Sequence, residues 1–271
     1  MVEAAAKEIA DGEPPDLVRA AGQVGTLVER RLRVAASVAA KSLAEAVPRR
    51  SATARALEPE FVEVLSDLSK LVSGAGFLAK PGFFPDADLH HSWWASAPGT
   101  AVIAEVDLDE SSDSFYDYPE KEWFRVPATT GQMSVAGPYV DYLGTNEYIL
   151  TWGVPVSLSG AFVGAVAADV RLQDMQRFLL ASQQADPYAE VLVNAKGRVM
   201  FSTSAAVETG SMFRSAAFAA WMNAGSRPPT ATRGLEMWPC AGVPWAVLRF
   251  TLDDLEWPSS RGAPDPAESE G

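Results

Sequence analysis

From Asp16 to about Val47 the apolar residues Leu17, Ala21, Val24, Val28, Ala35 and Val38 return at three- and four-residue steps. Arg19, Glu29, Arg30, Arg33 and Lys41 fill much of the remainder. That spacing draws one apolar stripe along a helix of about eight turns, longer than the usual helix of a globular protein. Pro14-Pro15-Asp16 marks its start. A stripe of this length has to be covered. A helical hairpin would need a second long helix, and the candidate stretch, Pro59 to Val72, is short. The long helix therefore packs on the rest of its own chain, or offers its face to a second copy in a homodimer.

Beyond the second helix the chain reads mainly as sheet. Gly74-Ala-Gly76 and Pro81-Gly82 are expected to end that helix and open an irregular region, before Trp93-Trp94 and the β-rich run Thr100–Val106. Between Tyr139 and Asp169 short strand-like runs alternate with turns, and Glu147–Val156, Ser157-Leu-Ser-Gly160 and Ala161–Asp169 form a hairpin pattern. Leu172–Ala181 reads as a short helix. A smaller β unit comes next: Ala189–Val193 and Arg198–Ser202 around the turn Asn194–Gly197, a helix over Met212–Ala224, and two strands between Gly234 and Phe250 around Cys240-Ala-Gly242. The sequence suggests two related α+β modules on one long helix. The tail from Trp257 has the composition of a segment without fixed structure.

Composition removes several classes. A net charge of -13 lacks the clustered cations of a nucleic-acid footprint. Between Gly82 and Pro119 there are eight acids and no Lys or Arg, a bias toward cations at the mouth of any pocket there. Cys240 is the sole cysteine, so an intrachain disulfide is impossible, and its setting suits packing better than nucleophilic chemistry. No run reaches the ~18 apolar residues of a membrane span. The N-terminus lacks the apolar core of a signal peptide, so the expected location is cytoplasmic. His90-His91, with Asp86 and Asp88 nearby, lack the spacing of a metal motif, and no metal or cofactor is expected.

The stretch richest in chemistry is Tyr116-Asp-Tyr-Pro-Glu-Lys-Glu-Trp-Phe124, then Gly137-Pro-Tyr-Val-Asp141 and Gly164-Ala-Val-Ala-Ala-Asp169. It spaces aromatics, one cation and two carboxylates over what read as strands and loops. Carboxylates suit an ammonium, a lysine suits an acid group, and ring faces suit the rest, with ~0.5–2 kcal/mol of cation–π attraction per ring. Asp169 closes an apolar run, where an unpaired carboxylate is costly, so a ligand ammonium would complete it; a turn or cap carboxylate is the plainer reading. This is a receptor's set more than a catalyst's. Two other readings compete: a small hydrolase or lyase using Asp141 and Asp169 as paired carboxylates, and a scaffold that binds partners without any metabolite.

The order of elements, with Gly137–Asp141, the hairpin ending in VGAVAADV and the segment VLVNAKGRVMFST, resembles the double Cache family over about residues 16–255. These are ligand-sensing domains of bacterial chemoreceptors and sensor kinases. The resemblance implies an α+β fold, a long N-terminal helix carrying two PAS-like antiparallel-sheet modules. Its parts would be a flexible N-terminus (1–13), the helix and linker (14–58), a ligand-binding distal-type module (59–182), a smaller proximal-type module (183–255) and a disordered tail (256–271). In the family's amino-acid-sensing subset an Arg and a Trp hold the ligand carboxylate, while aspartates and a tyrosine hold its ammonium. On this chain Tyr116, Trp123, Tyr139, Asp141 and Asp169 match that pattern. Lys121 stands where the family has Arg, and Phe124 where it has Tyr. Lysine lacks the planar fork that grips a carboxylate at two points, and phenylalanine lacks the hydroxyl. The resemblance thus implies a sensor of an amino acid or a simple amine that reports to a separate regulator or transporter.

Overall fold

The computed structural model describes residues 13–48, 50–97, 100–141, 147–184, 188–224, 229–232 and 234–251. Most of the flexible N-terminus and all of the tail expected from the sequence lie outside them. Helix α1 (Asp16–Glu45) has the expected extent. Leu17, Val24, Val28, Leu32, Ala35, Ala39 and Leu43 on its stripe are fully buried. A 3-10 turn (Ser51–Leu57) leads into α2 (Glu58–Asp67), which starts with proline in its first turn, where the missing N–H costs nothing.

Two compact units account for the chain. One comprises residues 27–174 with α1 from Leu27 onward; the other comprises residues up to Thr26 together with those from Met175.

The first unit holds a six-stranded antiparallel sheet of β1 (Val72–Ala79), β2 (His91–Ala97), β3 (Thr100–Ala104), β4 (Ser134–Val140), β5 (Tyr148–Leu158) and β6 (Ala161–Arg171), in the order β3-β2-β1-β6-β5-β4. Helix α3 (Glu122–Thr130) lies between β3 and β4 in the chain. The expected hairpin is β5–β6, closed by Ser159 and Gly160, both at positive φ. Leu172–Ala181 is helix α4, as expected.

Three expectations differ from the structure, one of them the helix expected over Met212–Ala224, which is confined to Ala216–Met222 while Met212 forms a β-bridge with Arg198. Gly74-Ala-Gly76 does not open an irregular region; it lies within β1, an interior strand buried along its whole length. Nor do Trp123 and Phe124 sit on strands or loops, because both belong to the first turn of α3.

The second unit holds β7 (Tyr188–Asn194), β8 (Val199–Ser202), helix α5 (Ala216–Met222), β9 (Thr230–Thr232), β10 (Leu235–Pro239) and β11 (Trp245–Thr251). Its five strands run β8-β7-β11-β10-β9. One face is packed solid by Val191, Val193, Phe213, Phe218, Leu248 and Phe250. On β11 Arg249 stands opposite both Glu190 and Glu236 and bonds the nearly inaccessible Glu190 carboxylate at 3.0 Å. Cys240 is buried. In both sheets the first strand pairs with the last, and the order is the same once β3 is set aside. The α+β class and the double-module architecture expected from the sequence are therefore present.

Candidate ligand site on the first sheet

Register decides which side chains share a face. Asp169 on β6 stands opposite Thr151 on β5 and Gly74 on β1, and residues directly opposite point the same way. Ala165 and Ala167, four and two residues earlier, meet Leu78, Tyr118, Trp123 and Phe124 in an apolar layer on that face. Trp93 on β2 is opposite Gly76, so its indole joins this face as well. A Cβ at Gly74 would stand 2.5 Å from the Trp93 ring nitrogen, and one at Gly76 would stand 2.1 Å from the Ser92 carbonyl. Only strand residues without side chains let the indole lie down here.

Above this floor the polar groups converge. The Thr151 hydroxyl donates to Asp169 Oδ1 at 2.6 Å, and the Tyr139 hydroxyl meets the same Thr151 oxygen. Threonine has one proton to give. With Asp169 ionised, Tyr139 must therefore donate to Thr151, and the two hydroxyls form a relay ending on the carboxylate. Burial pushes the Asp169 carboxyl up to about 7, the Thr151 bond opposes the shift, and the neighbouring Asp141 carboxylate adds to it. Tyr116 and Tyr139 are raised well above the usual phenol range, first by burial and then by the negative charge of Asp169. These causes put Tyr116, Tyr139, Asp141 and Asp169 within one another's electrostatic reach. Three of them, Tyr116, Tyr139 and Asp169, are densely surrounded by protein yet keep part of their surface accessible to water.

The segment before α3 is pinned from below. Tyr118, completely inaccessible, donates to the Ala79 carbonyl at 2.6 Å and accepts from the His90 amide at 3.2 Å. Burial lifts its phenol to about 12. Two residues earlier, Tyr116 meets His91 edge-to-face at 5.8 Å, and His91 stacks on Trp93 at 5.7 Å. Lys121, immediately before α3, brings its ammonium to 5.9 Å from the centre of the Tyr116 ring. Trp123 and Phe124 are each 3 % exposed. Phe124 meets the rings of Tyr118, Trp123 and Phe162, so the pair backs the site with apolar bulk.

Of the seven residues singled out by sequence, five thus gather around one polar cluster and two stand in the apolar layer beside it. Thr151, His91 and Trp93 were not among them. Thr151 carries no signal of its own beyond its place in the hairpin opposite Asp169. Trp93 could have been recognised from Gly74-x-Gly76, a pair of gaps in a strand that need a large ring to fill them. Among the described residues no three His, Cys, Asp or Glu side chains group as a metal site, and no helix is long and apolar enough to cross a membrane. A cavity of about 440 Å³ opens on this unit as well, at the edge of β2 beside His90 and His91, and Asp169 does not line it.

Comparison with known proteins bears on the fold and on the first module. Residues 75–177 match the family described as methyl-accepting chemotaxis protein-like, first PDC sensor domain. A stretch of 89 residues is 28% identical to the methyl-accepting chemotaxis protein TlpQ of Pseudomonas aeruginosa, taking in 31% of this chain and 12% of that much longer protein. The ligand-binding domain of the Campylobacter jejuni chemoreceptor Tlp3, solved with L-valine, superposes with a TM-score of 0.57 at 14% identity, over 93% of this chain and 94% of that one. The extracellular domain of mmHK1S-Z3, a proposed histidine kinase, gives 0.62 at 16% identity, over 84% and 89%. At these identities the structural likeness is one of fold. The matched family is one of sensor domains, not of enzymes, in agreement with the reading of a receptor. The chain has the double Cache fold, and its first module is similar to the first PDC sensor domain of methyl-accepting chemotaxis proteins.

Proposed function

We propose that the first module is a sensor for a small ammonium-bearing metabolite, an amino acid or an amine, held where Asp169, Asp141, Tyr116 and Tyr139 converge. The observation that carries this reading is the state of Asp169, a carboxylate deep in the fold beside a second carboxylate, supported by one hydroxyl relay. Two acids so placed repel each other until a cation enters between them. Dense surroundings combined with residual accessible surface suit residues that line a small hollow. Lys121, held against Tyr116, would meet a ligand carboxylate as a single point charge, so α-amino acids and simple amines both fit. Tlp3, which shares the fold, has been solved with L-valine and with isoleucine. Occupancy would be passed on to a separate partner, a regulator or a transporter.

The test is a thermal-shift and calorimetry panel of amino acids and matching amines. Asp169→Asn should cost ~2–4 kcal/mol of affinity for every member, because it strips charge from a desolvated pair. Lys121→Ala should weaken amino acids while sparing the amines. Equal losses for both ligand types would remove Lys121 from its role, and a panel without a single binder would sink the proposal.

A further inference from the structure

We propose that the cavity at the edge of β2 is a second ligand site, for a small uncharged aromatic molecule carrying a hydroxyl or a ring N–H. Its origin lies in the sheet. Pairing between β2 and β3 begins with Trp93 opposite Ala104, so the stretch of β2 before Trp93 has β1 on one side and no β3 strand on the other. The chain after Ala104 swings away, and the cavity of about 440 Å³ occupies the gap. A volume of that size belongs to the range of small-molecule sites. It is lined from both faces of the strand, by His90, Ser92 and Trp94 on one and His91 and Trp93 on the other, with Ile103 and Leu108 across from them.

The lining chooses the ligand class. Trp93, Trp94, Ile103, Val106 and Leu108 give flat apolar walls. The His90 ring is already bonded to the Ser92 hydroxyl at 2.7 Å. His91 is different: its Nδ1 is buried and has no hydrogen-bond partner among the described residues. The His91 ring lines the cavity while this nitrogen is shut off from solvent, so a guest reaches it once the ring turns, and the hydrogen bond then formed offsets the cost of turning. Burial lowers both imidazoles, His91 to about 4, so neither is charged at neutral pH. Charge appears at the exposed Arg55 and Glu105, one of each sign, so the lining has no net charge to offset the cost of desolvating a charged guest. A flat neutral ring with one polar handle satisfies walls, orphan and charge balance together. The His91 ring, which lines this cavity, meets Tyr116 of the Asp169 cluster edge-to-face, and none of the residues named for the ammonium lines the cavity.

The experiment is calorimetry on the full chain with phenol, benzoate and benzylamine as probes. Phenol should bind saturably with a dissociation constant of roughly millimolar or tighter, as its few heavy atoms allow. Both charged analogues should bind about tenfold more weakly. His91→Phe, which keeps the ring and deletes the nitrogen, should weaken phenol by about tenfold, the loss of one buried hydrogen bond. Asp169→Asn should leave phenol within about twofold, since it belongs to the other site. The inference is overturned if phenol fails to saturate, if either charged probe binds better, or if His91→Phe leaves phenol unchanged. Should His91→Phe not fold, the ranking of the three probes on the unaltered chain decides alone. Loss of phenol binding in Asp169→Asn would merge the two sites and overturn it too.

Discussion

At the scale of single residues, Asp169 sets the pH behaviour of the first module. Its ordinary value is 3.8 and its folded value about 7. Between those limits the folded chain holds a proton that the unfolded chain has released, so the stability this group contributes is whole below pH ~4 and is lost as pH rises through ~7. The melting temperature of the unliganded protein should therefore fall over that window relative to Asp169→Asn, in which the slope is absent. A difference that stays flat from pH 4 to pH 7 would contradict the burial argument. Ligand affinity should move the other way. An ammonium needs the carboxylate, so below pH ~7 binding displaces a proton and the affinity drops by up to tenfold per pH unit. Calorimetry in two buffers of different ionisation enthalpy would detect the released proton.

Elements show how residues reach these positions, and how far the sequence could reveal it. Helix α1 was legible from its 3.6-residue period, and the β5–β6, β7–β8 and β10–β11 hairpins from apolar runs broken by turn residues, whereas the three-residue β9 was too short to show. Strand β1 was not legible: Gly74 and Gly76 read as breakers, whereas their lack of side chains makes room for Trp93. Helix α3 was obscured for a related reason, being nine residues long with Pro127 inside it. The seven candidate residues rest on the family resemblance. That Lys121 faces Tyr116, that Phe124 turns into the apolar layer, and that Thr151 joins Tyr139 to Asp169 depends on contacts between strands far apart in sequence. Gly153 ties α3 to the sheet, since a Cβ there would come within 1.8 Å of the Trp123 carbonyl. Backbone cannot step aside as a flexible side chain can. Gly153→Ala should cost ~1–3 kcal/mol by overpacking, measured by denaturant melts, and should weaken ligand binding as α3 shifts. An unchanged midpoint would show that α3 is not held so closely.

The whole molecule carries a net charge of -13. Exposed charges of one sign repel over about 30 Å at about 0.01 M salt and over about 10 Å at about 0.1 M, as salt screens them. Raising sodium chloride from ~10 to ~300 mM should therefore raise the melting temperature while weakening association with amines, whose approach the same field favours. Opposite trends in the two measurements are expected; parallel trends would argue against a field acting on both. The two sheets share a strand order but use it differently. In the second, one face is filled by Phe213, Phe218 and Phe250, and Arg249 is locked between carboxylates on its strand neighbours. In the first, the strand position next to β1 and β5 holds a carboxylate and a hydroxyl relay. One topology thus carries a ring-filled face in one unit and a buried polar cluster in the other.

Strand β2 of the first unit has two adjacent indoles on opposite sides. Trp93 lies over the glycines beside the polar cluster, and Trp94 stacks on Phe61 of α2 at 5.1 Å. Helix α2 is in turn clasped to α1 by Arg31, which reaches Glu60 and Asp67. Neighbouring residues of one strand share a single ribbon of peptide planes. On the proposed function, a guest that tipped the first indole would roll the ribbon, and the second indole would then lever against the helices on the far side.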